Sequence, residues 1–161
     1  MTALKAARPT ATGGTAYADD FYTWTQEQGA RLRAGDLSAL DREDLAEEIE
    51  SLGRSEFGKL VAAFRDILRS ILVFDHRPDL PARDGALLIA AQRLDVTFLL
   101  KDSPGLKDRS EEAMARAYQT ARLGAADAAQ LPLSRFPETC PYNREDLMRR
   151  PFAIDPDDTT A

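Results

Sequence analysis

Apolar residues recur along most of the chain at steps of three and four, the spacing that gathers side chains on one face of a helix. Tyr17, Phe21, Trp24, Gln28 and Leu32 share such a face. They predict a short amphipathic helix with Asp19 as N-cap and Gly35 as the left-handed residue that ends it. A second helix begins after Asp41, which with Asp44 forms a carboxylate version of the capping box, preceded by Leu37 and Leu40 as staple residues. Leu45, Ile49 and Leu52 predict its core face at first, and Leu60, Ala63, Phe64, Ile67, Ile71 and Phe74 continue it. Gly53 and Gly58 interrupt the run. Each costs about 1 kcal/mol relative to alanine inside a helix, which predicts a bend or a close helix contact there.

Two prolines forbid helix continuation across His76 to Pro81. A third helix is predicted from Arg83 to Lys101, with Leu87, Ala91, Leu94 and Phe98 as its main stripe. Ser103-Pro104-Gly105 breaks the chain again. The last long helix is predicted from Lys107 to Ala129, with Ser110, Met114, Tyr118, Ala121 and Ala125 on an alanine-rich face that allows close packing. Beyond it Pro132, Pro137, Pro141 and Pro151 dictate an extended wrap, broken by one short helix from Arg144 to Arg150 capped by Asn143. Phe136, Tyr142, Leu147 and Phe152 are its expected anchors. The fold class that follows is all-α: a single helical-bundle domain of four to five helices over 17–153 with an irregular proline-rich C-terminal wrap. A small, polar N-terminal tail over 1–16 and an acidic tail over 154–161 flank it as flexible segments.

Two of these helices carry a second stripe. Val61, Leu68 and Leu72 lie opposite the main face of the long helix, interrupted by Arg65; Ile89, Val96 and Leu100 lie opposite the main face of the next, interrupted by Arg93. A helix apolar on two sides is either sandwiched inside a fold or presents a patch that a partner covers. This pattern favours a homo-oligomer formed through the second apolar faces of the helices at 59–75 and 83–101.

Composition narrows the function classes. The 161 residues suffice for a core without metal or disulfide staples, and no apolar run approaches the roughly 20 residues of a membrane span. A net charge of −6 disfavours nonspecific nucleic-acid binding, since backbone phosphates would be repelled. The single cysteine, Cys140, cannot form an internal disulfide, and Met1 to Tyr17 lacks the apolar centre of a signal peptide, so a cytoplasmic location is expected.

Most of the acidic residues have ordinary roles. Glu43, Asp44, Glu47 and Glu48 suit the positive end of a helix dipole. Counted against Leu45, Ile49 and Leu52, however, Glu48 borders the apolar face and Glu56 falls within it. A carboxylate there must be paired, hydrogen-bonded or protonated. One reading makes Glu56 a structural anchor, accepting from Arg93, Lys59, Trp24 or Tyr118. The other makes Glu48 and Glu56, with His76 or Tyr118, an acid/base or metal site in a helical cleft. Carboxylate metal sites in helical bundles use Glu-x-x-His pairs. This chain has one histidine and no such pair, so no metal or cofactor is expected. His76 suits the negative end of the long helix, and a Cys140–His76 nucleophilic pair has no support in the spacing. No glycine-rich phosphate loop, zinc-ligand spacing or nucleophile elbow appears.

Four blocks carry a family resemblance: DFYTW (Asp20 to Trp24), LAEEIESLGRSE (Leu45 to Glu56), DSPGL (Asp102 to Leu106) and FPETCPY (Phe136 to Tyr142). In this order they resemble the bacterial family called domain of unknown function twenty-nine, over about Tyr17 to Phe152. The resemblance implies a mostly helical domain and no particular activity. The chain departs from the family pattern after the long helix, where Val73 to Pro78 and Gly85-Ala86 replace basic and tryptophan-bearing segments. That departure weakens a nucleic-acid role further. The functional expectation is a noncatalytic, cytoplasmic protein-interaction or self-associating helical domain, with a small enzyme or metal-dependent domain built on Glu48 and Glu56 as the alternative.

Overall fold

The computed structural model describes residues 14–81 and 83–154. Most of the two expected tails, 1–13 and 155–161, lies outside the described residues. Among the described residues five α-helices form: α1 (Phe21–Ala34), α2 (Arg42–His76), α3 (Arg83–Asp102), α4 (Ser110–Ala129) and α5 (Arg144–Arg149). Short 3-10 helices cover Pro104–Arg109 and Leu133–Arg135, and no strand occurs among the described residues. The all-α helical fold expected from the periodicity is the fold observed. The chain divides into two compact units after Gly53, so α2 gives 42–53 to the first and 54–76 to the second.

The first unit is a helical hairpin. Asp20, not Asp19, caps α1: its backbone is extended and its carboxylate accepts from the Thr23 N–H at 3.0 Å and the Thr23 hydroxyl at 2.6 Å. Asp19 instead donates its N–H to the Ala16 carbonyl in the preceding turn. Gly35 ends the helix at φ 74°, a conformation that penalises any side chain with a Cβ. Asp41 caps α2 as expected, accepting from the Asp44 N–H at 3.3 Å. The Gln28 side-chain oxygen accepts from the Asp41 N–H at 2.9 Å, and the Tyr17 hydroxyl donates to Glu48 at 2.6 Å. Pairs running 28 to 41 and 17 to 48 make α1 and the start of α2 antiparallel. In α1 only Trp24 and Gln28 are buried.

The expected core face of the first turns of α2 is not a core face. Ile49 and Leu52 are 67% and 68% exposed. Within the hairpin α2 has α1 alone to pack on, and one neighbour covers one side. A Cβ placed on Gly53 or Gly58 would meet nothing within 4 Å, so neither glycine marks a close helix contact.

The second unit holds the main core. Leu60, Phe64, Ile67, Leu68, Ile71 and Leu72 of α2 are all at 0% exposure, so here the helix is covered on both of its apolar sides. α4 supplies Ala113, Ala117, Ala121 and Ala125, and its small face brings α2 close: Arg69 Nε donates to the Gly124 carbonyl at 3.3 Å. A Cβ on Gly124 would lie 3.2 Å from Arg69 Cδ.

α3 is turned the other way from the sequence expectation. Ala86, Ile89, Val96 and Leu100 face the core, whereas Leu94 and Phe98 of the expected main stripe are 59% and 58% exposed. Gly85 belongs to the true core side, since a Cβ there would sit 3.0 Å from the Phe74 ring. The second apolar faces expected to mediate self-association are therefore filled by the chain's own helices.

The C-terminal wrap is held largely through its backbone. Tyr118 donates its hydroxyl to the Pro137 carbonyl at 2.7 Å, and Arg122 donates to the Phe136 and Leu133 carbonyls at 3.1 and 3.2 Å. Asn143 and Asp146 form a reciprocal capping box on α5, while Phe136 and Leu147 are buried as expected. Arg150 and Tyr142 converge on Asp75 at the end of α2, with the Tyr142 hydroxyl 2.7 Å and Arg150 Nη2 2.5 Å from its oxygens.

This cluster sets a pH window. Burial opposes the ionisation of Asp75, but the bonds from Arg150 and Tyr142 outweigh it and hold the carboxyl below its usual range. Burial, then the bond to Asp75, pushes the Tyr142 hydroxyl up. A lowered carboxylate stabilises the fold above its unfolded value of about 4, and that contribution is lost as pH falls through the folded value. A raised phenol stabilises below its unfolded value of about 10 and ceases to do so as pH rises further. Hydrogen-exchange protection of 142–150, taken relative to the intrinsic rate at each pH, should thus fall at both extremes. Tyr142→Phe should abolish the alkaline change and shrink the acid one, since Arg150 alone then holds Asp75; an unaltered alkaline limb in that variant would contradict the assignment.

Candidate functional site

Each residue singled out as candidate chemistry is engaged in a local structural contact. Glu48, in the first unit, accepts from Tyr17. Glu56, in the second, accepts from Lys59 at 2.6 Å, with 38% of its side chain exposed. Of the four partners expected for Glu56, Lys59 is the one observed. The reason it looked misplaced dissolves with the exposed stripe around it: a carboxylate at a half-exposed position needs no buried counter-charge. His76 places Nδ1 2.9 Å from the Leu72 carbonyl in the last turn of α2, and its ring packs 4.4 Å from that of Phe136.

Tyr118 bonds to the next residue of the wrap, Pro137. His76 and Tyr118 are thus brought to two consecutive residues, Phe136 and Pro137. None of these contacts joins one candidate to another. Burial, the main cause, pushes the Tyr118 hydroxyl and the Cys140 thiol up, so both favour their protonated forms. Among the described residues, no group of three or more His, Cys, Asp or Glu side chains is placed to hold a metal ion.

The feature that sequence reasoning missed lies in the first unit. The Tyr17 ring packs edge-on to Phe21 at 5.4 Å and to Trp24 at 5.0 Å, while Phe21 stacks on Trp24 at 5.9 Å. Trp24 is held among them with Nε1 buried and without an acceptor, which costs about 1–3 kcal/mol against the packing gained. Phe21, packed against Tyr17, is 50% exposed. Tyr22 is 72% exposed beside it in sequence. The hairpin therefore presents large apolar side chains from both helices to solvent. The signal was in the pattern: Leu45, Ile49 and Leu52 form a stripe, but nothing local shows that only one helix is available to cover it.

The Tyr17–Glu48 bond has its own signature. The hydrogen bond to Glu48 is the main cause that pushes the Tyr17 hydroxyl up to about 12. Ultraviolet difference titration should show Glu48→Gln bringing one tyrosine back toward the ordinary value of about 10. No change in that variant would mean that the bond is absent in solution.

The family model described as "Domain of unknown function DUF29" matches residues 16–153. Neither the curated proteins nor the solved structures contain a match to this chain.

Proposed function

The chain belongs to the DUF29 family, and from that premise we propose that it is a noncatalytic protein-interaction domain whose first unit receives a helix from another protein. The exposure of Ile49 and Leu52, on a stripe whose spacing is that of a core face, carries this reading. Two antiparallel helices leave one apolar side open, and a third helix laid along it completes a three-helix bundle. This is the helix-in-groove mode of recognition, read out by anchors at spacings of three and four. The structural contacts of Glu48, Glu56, His76 and Tyr118 support the same reading, since each has a place in the architecture.

The decisive experiment compares the wild-type chain with the Ile49→Ser, Leu52→Ser double variant by cross-linking in the native cell. A discrete heteromeric species formed by the wild type and lost in the variant is the expected result, with circular dichroism unchanged because both positions are exposed. No such species, or one that survives in the variant, overturns the proposal.

A further inference from the structure

We infer that the segment received by the first unit is a basic amphipathic helix, an inference that rests on the reading of this hairpin as a docking site. Charge is distributed very unevenly along the chain. Residues 14–53 hold ten aspartate and glutamate side chains against three arginines, Arg31, Arg33 and Arg42, a net charge of −7. The whole chain carries −6, so everything outside this hairpin is close to neutral.

Two of these acids adjoin the apolar stripe of α2. At 100° per residue, Leu52, Leu45 and Ile49 span about 60° of α2. Glu48 and Asp44 follow on the edge that meets α1, whereas Arg42, Gly53 and Ala46 follow on the outer edge and Glu50, Glu43 and Glu47 lie on the back. Carboxylates thus border the exposed apolar row on the α1 side, within a hairpin that is acidic as a whole.

That arrangement selects among occupants. A second copy would set one surface of net charge −7 against another. Like charges brought together in an interface cost several kcal/mol, which disfavours self-association here. Anionic lipid surfaces and nucleic-acid phosphates are repelled for the same reason. A helix with leucine-like anchors on one face and lysine or arginine along its borders fits both features. Its apolar face covers Ile49 and Leu52, while its cations meet Asp44 and Glu48 on the α1 side. The long-range part of that attraction accelerates encounter and weakens with salt.

The test uses the full chain and a fluorescently labelled peptide with leucines at i, i+3, i+4 and i+7 and lysines between them, read by anisotropy. A counterpart with glutamate in place of lysine serves as the comparison. The lysine peptide should bind, progressively less well as salt is raised, and the glutamate peptide should not. The Ile49→Ser, Leu52→Ser variant, whose charge is unchanged, should weaken binding at least about tenfold. Asp44→Asn with Glu48→Gln, which removes the two carboxylates beside the row, should flatten the salt dependence.

Equal binding of the two peptides would overturn the charge inference while leaving the docking site intact. Binding of the lysine peptide that ignores the serine substitutions would reduce the surface to a nonspecific acidic patch and overturn the inference. If neither peptide binds although a heteromeric cross-link is lost in the serine variant, the inference fails and the interaction reading stands.

Discussion

Val96→Asp is expected to abolish cooperative folding of the second unit, whereas Leu94→Asp, two residues away on the same helix, leaves it folded. Val96 is at 0% exposure within the core that α2, α3 and α4 share. The one cation in the same row of α3, Arg93, is already committed to the carbonyls at the end of α5. Burying the aspartate's charge costs several kcal/mol, and protonating it leaves a buried polar group and lost packing. With total stabilities of about 5–15 kcal/mol, a loss of that size removes most of the folded population. Leu94 is 59% exposed and gives up little apolar contact when replaced; surface changes of this kind fall within about 0.5 kcal/mol. Thermal denaturation followed by circular dichroism distinguishes the two. The opposite ranking would mean that α3 is rotated by half a turn from the orientation described.

This contrast also marks where the sequence ceased to be legible. Helix ends were readable because their determinants are local. Gly35, Asp41 and Asn143 each act within a turn, and each ends or caps its helix as its position predicts. Asp20 displaced Asp19 as a cap by a single residue, the usual uncertainty of a boundary between two adjacent carboxylates. Which face of a helix is buried is not local. On α3 the row Leu87, Ala91, Leu94, Phe98 is uninterrupted, and the row Ile89, Val96, Leu100 is broken by Arg93, so hydropathy ranks the first above the second. The fold selects the second because Arg93 finds partners more than 50 residues away. On α2 the same limit acts in another form: the stripe continues through Gly53, but its first part has one helix beside it and its second part has several.

The burial expected of Glu56 differed for a related reason. Glu56 drew attention only on the assumption that its face is buried, and that assumption depended on neighbours no local pattern reveals. The exposed face that supports an interaction role was written in the sequence as a core face. What converts it into a candidate site is its lack of cover together with the charge concentrated over 14–53. Neither observation suffices alone, since single exposed apolar side chains are common and acidic helix starts serve the dipole.

Arg93→Met is expected to release α5 and the wrap around it while leaving the α2–α4 core folded. Arg93 donates from Nε to the Leu147 carbonyl at 2.6 Å and from Nη2 to the Arg150 and Asp146 carbonyls at 2.8 and 3.4 Å. These carbonyls end α5, where intrahelical partners run out and the dipole is negative. Burial pulls the guanidinium pKa down, so the position disfavours charge in itself; the carbonyls are what make it tenable. Hydrogen bonds to a charged group contribute about 1.5–3 kcal/mol each when partly shielded. Losing two good ones and a long one, with some packing regained by methionine, should cost the α5 segment about 2–4 kcal/mol. Arg93→Lys should rescue little, because a single ammonium cannot reproduce the planar fork that serves several carbonyls at once. Hydrogen exchange provides the readout. Protection should fall over Arg144–Arg149 in both variants and persist in α2 and α4; a uniform loss across the second unit, or full rescue by lysine, would show that Arg93 contributes bulk or charge rather than the cap geometry proposed for it.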